Sequence, residues 1–174
     1  MAIRLLFLVA VVVGVGFMTG TFNARMVTSV TSHVPRGSIP SAQDRQKEEY
    51  REVVRGNFSR LGPLDNTFVN ECSPDPKLAS TCAYLSEQML GALRSFRLDL
   101  EKTAVPDSFE PADSTLRRGI AKAIEGFSYV QRGVRTHKRA DWLRARDALG
   151  ASDTLVQRAY DQLPPSERPP SWGF

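Results

Sequence analysis

An unbroken apolar run at the extreme N-terminus, Leu5 to Met18 (LLFLVAVVVGVGFM) with Arg4 before it, constrains this chain more than any other feature. A basic start followed by an apolar stretch of this length is the pattern of a secretory signal. The competing reading, a buried core segment, fits poorly with so long a run ahead of a polar linker. Residues 1–24 are therefore read as a signal anchor or signal peptide. Small residues three apart, which processing needs, are badly placed. Gly14 and Gly16 lie inside the run, and Phe22 is bulky in the pair ending at Ala24. The expectation is an uncleaved anchor that crosses the membrane through residues 4–22 with tilt or local thinning. Arg4 favours a cytoplasmic start. The rest is then extracytoplasmic, or secreted if the segment is cut.

The cysteines agree with export. Cys72 and Cys82, in CSPDPKLASTC, are the two in the chain. A disulfide between them closes a short loop, worth about 3 kcal/mol on a chain-entropy model. Free thiols in a core are the alternative. Two cysteines with no second pair do not make a metal site.

Residues 25–42 are rich in Ser, Thr and Pro without helical periodicity and read as a polar juxtamembrane linker. From 43 to 163 the spacing predicts an extracytoplasmic all-α domain, a four- to five-helix antiparallel bundle. Ser41 and Asp44 signal the first start, Tyr50, Val53, Val54 and Phe58 share a face, and Gly62-Pro63 is the expected stop. Leu61, Leu64, Phe68 and Val69 should tuck against the bundle from a loop. Asp75-Pro76 caps a second helix with the stripe Leu78, Cys82, Leu85, Met89, Leu93, Phe96 and Leu100. After Pro106 and Pro111, Asp113 or Ser114 opens a third, with Leu116, Ile120, Ala123, Phe127, Val130 and Val134 inward. Gly119, Gly126 and Gly133 recur at sevens along it, which close helix approach or chance explains equally well. Residues 136–149 continue or restart the helix, Gly150 is the expected end, and Ser152 or Asp153 starts a short last one. Pro164-Pro165 stops it, leaving a Pro-rich aromatic tail, 164–174.

Catalytic chemistry finds little purchase. His137 and Asp141 stand four apart and suit one helix face, yet no further metal ligand follows at helical spacing. No serine sits in a nucleophile elbow. No catalytic residue, metal or cofactor is assigned. Asn57-Phe58-Ser59 matches a glycosylation acceptor, weakened by its place on a helix. The most suggestive surface is basic: Arg132, Arg135, Lys138, Arg139, Arg144 and Arg146, with Trp142 among them and Asp141 the lone acid. It suits an anionic lipid headgroup, an envelope polymer or an acidic partner. A solvated helix face with Trp142 packed inward is the plain alternative. On a helical net Arg132, Arg135 and Arg139 fall near one face. In the tail, Trp172 and Phe174 suit docking into a partner's groove. The formal charge of +4 is too small to suggest nucleic acid.

The function these features suggest is a non-enzymatic, membrane-tethered accessory or scaffold subunit of an envelope or membrane protein complex. An exported binding module for an anionic small molecule, lipid headgroup or polymer is the alternative, and an envelope hydrolase the remote one.

Overall fold

The computed structural model describes residues 41–73 and 75–168, which form four helices with no strand among them. The anchor at 1–24, nearly all of the linker, and Trp172 and Phe174 lie outside the described residues. No described helix is long and apolar enough to cross a membrane.

Helix α1 spans Ala42–Glu71. Ser41 caps it with a complete box: its Oγ accepts from the Asp44 amide (3.1 Å), and the Asp44 carboxylate accepts from the Ser41 amide (3.2 Å). The expected stop at Gly62-Pro63 is overturned, because α1 runs through it. An interior proline removes a hydrogen bond and crowds the preceding turn, at a cost of about 3 kcal/mol. Burial beyond the proline offsets that cost. Leu61 is in the core, and Leu64 and Phe68 pack against it, with Phe68 edge-on to Phe127 at 5.0 Å. Val69 points outward instead of tucking in.

Helix α2, Ala79–Lys102, follows a single 3-10 turn at Pro76–Leu78. Asp75 caps that turn, accepting from the Lys77 amide at 2.9 Å, so the start lies a turn later than expected. Leu78 is displaced to the surface, while Cys82, Leu85, Met89, Leu93, Phe96 and Leu100 are buried as the periodicity predicts. Cys72 and Cys82 are disulfide-bonded, with Cα atoms 4.8 Å apart. The bond pins the end of α1 to the first turns of α2. Phe58 meets Phe96 edge-on at 5.2 Å in the middle of this pair. Asn57 is buried there, its amide donating to Asp99 at 3.0 Å, and has no room for a glycan.

Helix α3, Glu110–Thr136, starts earlier than expected, after a 3-10 turn at Asp107–Phe109. Pro111 lies in its first turn, where its missing N–H costs nothing. Asp113 is therefore inside the helix and not its cap. Helix α4, Arg139–Gln162, is one uninterrupted helix, so Gly150 is not a terminator and no separate helix starts at Ser152 or Asp153. Nothing lies within 4 Å of a Cβ built on Gly150. A solvent-facing glycine weakens a helix by about 1 kcal/mol, too little to stop one held by tertiary packing.

The seven-residue glycines explain how α3 and α4 pair. A Cβ on Gly119 would meet Val156 at 3.1 Å, one on Gly126 would meet Leu149 at 2.7 Å, and one on Gly133 would meet Trp142 at 2.9 Å. Ascending positions on α3 face descending ones on α4, so the two run antiparallel and close together. Ser152, buried on α4, donates to the Gly119 carbonyl at 2.9 Å across this seam. The helix end at Gln162 follows from Pro164-Pro165 as expected. Pro165–Glu167 then forms a 3-10 turn held to α1, with Glu167 paired to Lys47 (2.9 Å) and Arg51.

Candidate functional site

The basic segment 132–146 does not form a continuous helical face. His137 takes a left-handed conformation (φ 54°), and its amide donates to the Gly133 carbonyl at 2.8 Å, closing α3. Asn, Asp and His tolerate this region better than most side chains. Lys138 is extended and α4 starts at Arg139. The break separates His137 from Asp141, so the two do not share a helix face. It also places Arg132 and Arg135 on one helix and Arg139 on the next.

Asp141 organises the corner. It is 4 % exposed and accepts from Arg132 Nε at 2.9 Å and from the Thr136 hydroxyl at 3.1 Å. Arg144 adds an ion pair at 3.7 Å. The single Thr136 hydroxyl proton is shared between Asp141 and the Arg132 carbonyl, 2.8 Å away, locking the last turn of α3 against the first turn of α4. The Arg132 guanidinium lies over the Tyr129 ring at 4.5 Å, a cation–π contact. Arg146 pairs with neighbouring Asp147 at 3.0 Å.

Three of the six cations are thus engaged. Arg135, Lys138 and Arg139 are exposed, and among the described residues none forms an ion pair. They cluster around the two-residue link between α3 and α4. Trp142 packs inward, its Nε1 standing 2.9 Å from the Cβ position of Gly133. It braces the corner from within.

Two polar arrangements had no signal in the sequence pattern. Tyr50, 2 % exposed on α1, donates to Asp113 at 3.0 Å, and Asp113 accepts from Arg117 at 2.6 Å. Arg117 also donates to the Leu100 carbonyl at 2.7 Å, so one cluster ties α1, the end of α2 and α3. Burial, and then the Asp113 charge, push the Tyr50 hydroxyl well above its usual range. Both Asp113 carboxylate oxygens are bonded within the cluster, which borders a shallow depression lined by Val105, Glu110, Pro111, Asp113 and Ser114.

The second arrangement is Asp65 on α1 with Asp153 on α4. Partial burial raises the Asp65 carboxyl. Desolvation against the bundle raises Asp153 as well, although its side chain is largely exposed, with the Asp65 charge adding to it. No cation pairs with either among the described residues. A raised carboxyl makes the folded state bind more protons than the unfolded one above about pH 4, so stability falls as pH rises through that window. Asp153→Asn is therefore expected to raise the denaturation midpoint at pH 7 and to leave it near wild type at pH 3. Chemical denaturation at the two pH values reads this directly, and equal shifts at both would remove the charge explanation.

No group of three or more His, Cys, Asp or Glu side chains among the described residues is arranged to hold a metal ion. No protein-family model, curated protein or solved structure matches this chain.

Proposed function

We propose that the chain is a non-enzymatic, membrane-tethered accessory or scaffold subunit whose helical domain works outside the cytoplasm by contact. The observation that carries this reading is the unpaired cationic triad Arg135, Lys138 and Arg139 at the α3–α4 turn. Charges left unpaired on a braced turn retain their attraction for an outside partner, which steers association and sets specificity. The apolar run Leu5–Met18 supplies the tether, and a disulfide suits an oxidising compartment.

Placement supports the same reading. Tyr50 lies beside Phe109, and Phe68 beside Phe127, so α1 and α3 run in the same direction. At 1.5 Å per helical residue, the triad stands roughly 50 Å along the bundle from Ser41, where the linker enters. It lies at the end of the bundle opposite Ser41, open to a partner.

A binding module for an anionic small molecule, lipid headgroup or polymer is the second reading, favoured by the same triad. Mass spectrometry of the full chain, gently extracted from its native membrane with everything that stays bound, separates the two. One stoichiometric protein partner supports the subunit, and a lone chain carrying an anion or glycan moves the assignment to the module. In either case the triple variant Arg135→Glu/Lys138→Glu/Arg139→Glu is expected to keep its helical content and lose about tenfold or more of the bound species. Undiminished retention would take the triad out of the interface.

A further inference from the structure

The outer face of α2 carries a pattern that the bundle itself does not use. Tyr84, Gly91 and Leu98 recur at intervals of seven and so lie along one stripe. Tyr84 is 61 % and Leu98 46 % exposed, and no atom lies within 4 Å of the Gly91 Cβ position. Single exposed apolar side chains are ordinary. These two stand at equal distances on either side of a hollow.

The fold shows elsewhere what such a hollow accommodates. Along α3, glycines at the same interval each receive a side chain from α4. On α2 the hollow at Gly91 opens to solvent.

Glu87 and Arg94 edge the same stripe. Both are exposed, and neither has an ion-pair partner among the described residues. The next arginine along, Arg97, is by contrast paired with Glu101 at 3.6 Å.

We propose that this face binds a second copy of this chain, with the two α2 helices antiparallel and the two-fold axis at Gly91. In that register Tyr84 of each copy meets Leu98 of the other. Glu87 of each copy stands opposite Arg94 of the other, which forms two ion pairs related by the axis. The facing Gly91 positions let the helices approach as closely as α3 and α4 do. A parallel pairing would set Glu87 against Glu87 and Arg94 against Arg94, so the charges select the antiparallel arrangement. The contact is isologous and closes at two copies. Its apolar area is small, which makes the dimer a weak one.

A thiol trap on the axis detects weak association. Cys72 and Cys82 are already bonded to each other, so a Gly91→Cys thiol is unambiguous. The full chain in detergent, carrying Gly91→Cys and treated with a mild thiol oxidant, is expected to cross-link to a dimer. In that background Arg94→Glu is expected to lower the yield about tenfold, and Glu87→Arg with Arg94→Glu to restore it. A Ser128→Cys control on the exposed side of α3 is expected to remain monomeric. Thermal melts of each variant verify that the bundle is intact. Cross-linking that is no greater at Gly91→Cys than at Ser128→Cys, or that ignores Arg94→Glu, or that the double swap fails to restore, would overturn the proposal.

Discussion

Asp113→Ala is expected to lower stability by about 3 kcal/mol, the lower end of what breaking a buried charge pair costs. The Asp113 side chain is 9 % exposed and its Arg117 partner 30 %. Removing the carboxylate leaves the buried Tyr50 hydroxyl without its acceptor and Arg117 without its counter-charge. Solvent reaching Arg117 holds the loss to the lower end of that range. Tyr50→Phe deletes the donor together with its need for a partner, so it should cost only about 1 kcal/mol. The two changes share one interaction, and the double variant should lose less than the sum of the singles. Urea denaturation of the four proteins tests this cycle. Additive losses would mean that Asp113 acts through Arg117 alone.

The sign of a glycine-to-alanine change should reverse between two helices. Gly126→Ala puts a methyl group 2.7 Å from Leu149 side-chain atoms and 3.3 Å from its backbone nitrogen. Overpacking of this kind costs about 1–3 kcal/mol, and the gain in helix propensity recovers only about 1 of it. A net loss is expected, with α4 pushed away from α3. Gly150→Ala meets nothing within 4 Å and should gain the propensity term, about 1 kcal/mol. Denaturation midpoints that move in opposite directions would support the seam described here. A stabilised Gly126→Ala would show that Leu149 yields freely and that α3 does not need a glycine there.

Much of the local design was legible. Ser41 with Asp44 marked the first cap, the apolar steps from Cys82 to Leu100 marked the inner face of α2, and Pro164-Pro165 marked the last stop. The cysteine pair could be read from spacing because a short intervening loop leaves the two within reach. Gly62-Pro63 and Gly150 misled for a single reason. A break signal is a local cost of one to a few kcal/mol, and burying Leu64 and Phe68, or Ala148 and Ala159, outweighs it.

The candidate site divides along the same line. That segment 132–146 is rich in cations is a property of the sequence. Which cations are free is not, because it depends on where α3 ends. The break at His137 folds α4 back so that Asp141 reaches Arg132 and Thr136 across the turn. Arg135, Lys138 and Arg139 are left facing outward.

By itself, then, the sequence determined the first helix cap, which stripes are apolar and which cysteines can join. These depend on neighbours within a few residues along the chain. Tertiary structure alone decided whether a proline or glycine interrupts a helix, whether the glycines at sevens are seams, and how Tyr50, Asp113 and Arg117 meet. Each of those rests on contacts between distant segments, whose burial energies exceed the local preferences they override.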